Sequence, residues 1–197
     1  MANYHDIRYD MTLSSSTTGG GSMVLLETQT ASSSATISFT SNIDSTYKEY
    51  VFKFYDIHPS GDRTYLQFQV DTGTNTSYNQ TMTTTFFHAW NDEADTSTGL
   101  NYTTGKDLAQ GTGFQTISYN TGNANDECNV GELHLFAPSS STFVKHFYST
   151  FQTQDNDFSD NSFVAGYVNI TTAITRVQFK MNSGTIDAGT IKLYGVT

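Results

Sequence analysis

The chain has 197 residues, a formal net charge of −10 and only 14% charged residues. A surface of that sign repels nucleic acid and anionic membranes, and no apolar run reaches the roughly 18 residues of a membrane span, so neither partner is expected. Fourteen Phe, twelve Tyr and one Trp supply the core of a single domain, while abundant Ser, Thr, Asn and Gly suit the turns of an all-β protein.

Residues 1–22 differ from the rest. A polar start carrying Tyr4, Ile7, Tyr9, Met11 and Leu13 leads into the loop-forming tract Ser14–Ser22. The segment predicts an extended N-terminal arm and hinge that docks on a partner subunit through those five side chains. It has neither a basic n-region nor an apolar h-region, so no secretory signal is expected and synthesis is placed in a cytoplasm.

Residues 23–197 read as a β-sandwich domain of about eleven strands, by count of alternating runs. MVLLETQT opens it, and ATISFT follows with Ala35, Ile37 and Phe39 on one face. In KEYVFKFYDIH, Tyr50, Phe52 and Phe54 share one face and Val51, Tyr55 and Ile57 the other, which predicts a central strand covered on both sides. TYLQFQV turns Leu66, Phe68 and Val70 inward, and Asp71–Gln80 reads as an exposed loop. TMTTTFFHAW is a strand ending at Trp90, whose place after Phe86 and His88 suggests a core residue.

Asn91–Gly113 is the longest weakly periodic stretch and reads as a long loop. FQTISY, VGELHLFA and FVKHFYSTFQ come next. The last thirty-five residues then give three strands, with Phe163, Ala165 and Tyr167 alternating with Val164, Gly166 and Val168, then Val177, Phe179 and Met181, then Ile191 and Leu193. Short turns and the lack of an amphipathic helix predict an antiparallel two-sheet sandwich of jelly-roll type, with the strand order left open.

Three stretches, Leu25–Asp62, Gly131–Ser149 and the segment beginning at Val164, resemble a family of small structural proteins of tailed bacteriophages, particularly those of marine bacteria and cyanobacteria. The resemblance implies a virion location, other virion proteins as partners and no active site. Only about twenty-two residues precede the sandwich here, which favours a compact accessory protein over a long fibre.

Chemistry-bearing clusters are few. Asp155, Asp157 and Asp160 faintly follow a calcium loop without its glycine or terminal glutamate, and Asn123, Asn125, Asp126 and Glu127 form a second oxygen-rich group; both read as solvated acidic loops. His5, His58, His88, His134 and His146 lack zinc spacing, although strand pairing can gather the last three. Cys128 is alone in an acidic setting and reads as inert. Asp92, Glu93 and Asp95 beside Trp90 are the one grouping of acids with a stacking ring, the minimum for glycan hydrolysis.

These readings converge on a non-enzymatic virion structural protein without cofactor or metal. Its leading form is a capsid decoration or cement protein, with a trimer as the expected homo-oligomer. The alternative is a tail-fibre or tail-tip protein that binds host surface glycans through Trp90, Tyr102 and Tyr119, with Asp92, Glu93 and Asp95 in the same loop; a glycan hydrolase is the weaker third.

Overall fold

Alternation along nearly the whole chain becomes thirteen strands in the computed structural model, which describes residues 22–197. The larger sheet has nine strands. Its order is β1 (Met23–Thr30), β13 (Ile186–Val196), β3 (Glu49–Pro59), β9 (Asn129–Phe136), β10 (Lys145–Asp155), β11 (Phe158–Val168), β5 (Met82–Asp92) and β6 (Thr98–Tyr102), and β7 (Ala109–Gly111) also pairs with β5. The smaller sheet runs β2 (Ile37–Phe39), β12 (Ile174–Met181), β4 (Leu66–Thr72) and β8 (Gln115–Thr116). Every pairing is antiparallel. The two-sheet antiparallel sandwich expected from the sequence is present, with two more strands than the alternation count. The arm residues Tyr4, Ile7, Tyr9, Met11 and Leu13, and His5, lie outside the described residues.

Aromatic rings join the two sheets. Phe179 of β12 meets Phe52 and Phe54 of β3 at 5.2 and 5.0 Å between ring centroids, near edge-to-face, and Phe68 of β4 meets Phe147 of β10 at 4.8 Å. Such geometry places positive ring edges on negative faces and adds to the stabilisation from burial. Ile191, Leu193, Leu133, Leu135, Val177 and Leu66 complete a fully buried centre.

Several local expectations are corrected. Asn91–Gly113 is not one long loop, because β6 and β7 lie within it as short edge strands on β5. Ala35 is exposed outside β2, while Ile37 and Phe39 are buried. The β3 strand is central, and on its outer face Val51 is buried as expected whereas Tyr55 is not. Asp56 sits at φ 51°, and the register slips between Phe54 and Ile57, so Ile57 returns to the core while Tyr55 is 40% exposed. Gly189 stands across from this bulge at φ 117°, where an added Cβ would lie 2.7 Å from the Asp56 carbonyl oxygen; the close approach requires glycine. Of Asp71–Gln80, the middle is exposed but the ends are not. Buried Asp71 accepts from the Tyr78 backbone N–H at 2.8 Å and from Gln80 Nε2 at 2.9 Å, and Tyr78 is buried too.

One lysine is buried. Lys145 is fully buried at the start of β10, and its Nζ donates to the Ile170 carbonyl oxygen at 3.1 Å without a carboxylate partner among the described residues. Burial pushes the ammonium below its ordinary range. Lys145→Met retains the stem volume and removes the desolvated charge, so it should stabilise the fold by about 1–2 kcal/mol in chemical denaturation at pH 7. A loss of similar size would instead identify the Lys145–Ile170 bond as a net stabilising contact.

The outer face of the larger sheet is rich in rings. Tyr102, Phe87 and Phe163 stand side by side on three adjacent strands, and Phe87 and Phe163 stack at 5.1 Å with 12° between planes. Tyr148 stacks on His134 at 4.5 Å. The adjoining charges are partly neutralised, since Lys53 Nζ lies 2.9 Å from Glu132 Oε2.

Candidate functional site

The larger sheet has nine strands against four in the smaller one, whose edge strand β8 has only two residues. In the larger sheet β5 carries Phe86, His88 and Trp90 on one face by simple alternation, and Asp160 of β11 pairs directly with Trp90 in the ladder. Tyr119, from the segment after β8, crosses above them with its ring centroid 4.2 Å from that of His88. Thr64 and Thr121 exchange backbone hydrogen bonds of 3.0 and 2.7 Å, which fixes the β3–β4 turn beside Tyr119 and brings Arg63 to the same place. The result is an open cleft of about 310 Å³, lined also by Asn101, Asn120, Asp155 and Phe158. That volume is at the lower end for small-molecule sites.

Two buried acids, each paired with a basic side chain, line it. His88 Nδ1–H donates to Asp160 Oδ2 at 2.5 Å, and Ser162 Oγ donates to the other carboxylate oxygen at 3.2 Å. Arg63 Nη1 lies 2.9 Å from Asp155 Oδ2. Burial raises both carboxyls above the usual range, opposed at Asp160 by the hydrogen bond from His88 and at Asp155 by the Arg63 guanidinium. Trp90 is half-buried rather than core. It stacks on His88 at 5.0 Å and leans over Gly99, where an added Cβ would come within 2.4 Å of the indole. Tyr119 Oη, Trp90 Nε1, His88 Nε2 and the side-chain amides of Asn101 and Asn120 form no hydrogen bond with another described residue.

The residues grouped around Trp90 in the sequence separate in three directions. Trp90 lines the cleft. Asp92 is buried in the β5–β6 turn, where it accepts from Thr96 Oγ1, the Thr96 N–H and the Ser97 N–H at 2.5, 2.7 and 2.9 Å. These bonds hold its carboxyl below the usual range, led by the Thr96 hydroxyl. Glu93 and Asp95 are exposed on that turn, Asp95 at φ 54°. Tyr102 stands on the outer face and donates to Asp107 Oδ2 at 2.6 Å. The acids expected for glycan hydrolysis therefore do not share the cleft with Trp90, whereas Asp155 and Asp160 do.

Neither acidic cluster is simply a solvated loop. Asp155 and Asp160 belong to β10 and β11, and the hairpin turns on Asn156 and Asp157, with Asn156 at φ 52°. Buried Glu127 accepts from the Asn156 and Ala124 backbone N–H groups, tying its loop to the hairpin tip, while Asn123, Asn125 and Asp126 are exposed. His88, His134 and His146 are not gathered: His88 faces inward, and the other two lie on the outer face of β9 and β10. Among the described residues no group of three His, Cys, Asp or Glu side chains is placed to hold a metal ion. Cys128 is half-buried, and burial together with Asp56 raises its thiol above the ordinary range, away from reactivity.

A larger depression of about 400 Å³ lies by the hairpin and includes Asp92, Cys128 and Val130. Its Asp92 carboxylate is already engaged with the turn, so it offers less recognition chemistry than the Trp90 cleft. No helix among the described residues is long and apolar enough to cross a membrane. Comparison with family models, curated proteins and solved structures returned no match.

Proposed function

We propose that this chain is a non-enzymatic structural protein of a bacteriophage particle, a capsid decoration or cement protein that docks on other particle proteins. The observation that carries the reading is the ring-rich outer face, where Phe87, Tyr102, Tyr148 and Phe163 are each at least 40% exposed on one continuous sheet. Apolar patches of this kind mark protein contact surfaces, and Tyr and Phe contribute large contact areas with few rotatable bonds. The sequence resemblance supplies the particle, and residues 1–22, with Tyr4, Ile7, Tyr9, Met11 and Leu13, supply a second anchor. A trimer on the particle surface is the proposed assembly.

The test is a binding assay with phage particles that lack this protein. Phe163→Ser with Tyr148→Ser should reduce occupancy by at least tenfold, corresponding to about 1.4 kcal/mol, while the isolated domain melts within a few degrees of the parent. Removal of residues 1–21 should also reduce occupancy. Undiminished binding by both altered proteins would refute the docking assignment, and sedimentation showing only monomers in solution together with separated copies on the particle would remove the trimer.

A further inference from the structure

We propose that the Trp90 cleft is a binding site for a neutral saccharide, one pyranose ring of a glycan. The inference does not depend on where in a particle the chain resides. It rests on the juxtaposition of an aromatic ring, groups able to bond hydroxyls that have no partner among the described residues, and acids that are each already bonded to a basic side chain.

A pyranose presents apolar C–H faces rimmed by hydroxyls that both donate and accept. Trp90 provides an apolar ring that is only half-buried, lying over Gly99, whose missing Cβ makes room for the indole against the sheet. Around it are groups of both polarities. Tyr119 Oη and the Asn101 and Asn120 amides can each donate and accept, and Trp90 Nε1 donates. None of these is bonded to another described residue, whereas the neighbouring acids are. Asn101 stands directly beside His88 in the β5–β6 ladder, so its amide lies on a rigid strand beside the cleft.

Charge separates this ligand from two others that also stack on aromatic rings. A nucleotide would need a cation free for its phosphate, but the cleft's Arg63 is paired with Asp155 and the chain carries a net −10. A quaternary ammonium would favour an unopposed carboxylate beside the rings. Here Asp160 is bonded to His88 and Ser162, and Asp155 to Arg63. The remaining complement is uncharged hydrogen-bonding groups.

The single tryptophan of the chain lies in this cleft, so its emission reports the site directly. The full chain is titrated with methyl glucopyranoside, methyl galactopyranoside, methyl mannopyranoside and N-acetylglucosamine, with tetramethylammonium and glucuronate as charged contrasts. At least one neutral sugar should produce a saturable change in emission, and saturation-transfer NMR should show its ring protons in contact with protein. Asn101→Ala and Tyr119→Phe should each weaken that response about five- to tenfold, as expected for loss of one hydrogen bond, without altering the melting temperature. Phe163→Ala, on the opposite face, should leave it unchanged. Saturation by tetramethylammonium or glucuronate alone, saturation by none of the compounds, or undiminished sugar binding in both cleft variants would overturn the proposal.

Discussion

Replacement of Phe179 by alanine should lower stability by about 3–5 kcal/mol, the largest single effect expected in this chain. Its ring is fully buried and meets four others, Phe39, Phe52, Phe54 and Phe68, with centroids 5.0 to 6.4 Å away. Truncation removes the ring shared by both sheets and leaves a cavity that rigid strands cannot close. Thermal melts followed by circular dichroism should shift downward by roughly 10 °C or more. Phe179→Leu, which retains much of the volume, should recover a large part of the loss. A shift of only a degree or two for the alanine variant would mean that the sheets do not pack through these rings.

Arg63→Ala should cost about 2 kcal/mol at pH 7.5, and the deficit should shrink as the solution is acidified. Arg63 is half-exposed and would contribute little as a surface cation, but its partner Asp155 is almost completely buried. Burial raises the Asp155 carboxyl in the folded state, and Arg63 is the nearby cation opposing the rise. A folded carboxyl raised above its unfolded value of about 3.9 takes up protons on folding, so its ionisation reduces stability as pH rises through the folded value. Without Arg63 that value rises further and the window widens upward. The difference between variant and parent should therefore be full at neutral pH and less than half as large near pH 4.5, measured by urea denaturation at each pH. A difference independent of pH would assign Arg63 a packing role instead.

What could be read in the sequence follows from which side chains alternate. The strands holding Phe163–Val168, Val177–Met181 and Ile191–Leu193 were legible because one face of each is buried by the opposite sheet. The β6 segment Thr98–Tyr102 was not, because it is a five-residue edge strand whose alternation is confined to Leu100 and Tyr102, both exposed. Tyr55 and Ile57 have the same parity, yet a bulge at Asp56 sends one to solvent and the other to the core. The cleft was hidden for a different reason. His88 and Asp160 are 72 residues apart and meet only because β5 pairs with β11, a strand neighbour that local periodicity does not specify. Trp90 was legible as a residue of interest, but its cleft depends on Tyr119 and Asp160, which come from distant segments.

Ser22 and Thr197 are joined by a hydrogen bond from the Thr197 N–H to the Ser22 carbonyl oxygen at 3.2 Å. They sit at one corner of the larger sheet, on the β1 edge and at the strand ends marked by Glu49 and Phe136. The Trp90 cleft lies toward the other edge and at the other strand ends, near the Asp155–Phe158 hairpin. Eight strands about 4.8 Å apart and an eleven-residue strand separate these corners by roughly 30 Å in each direction. The molecule therefore has a diagonal polarity: residue 22, where the described chain begins, lies at one corner and the cleft at the opposite one.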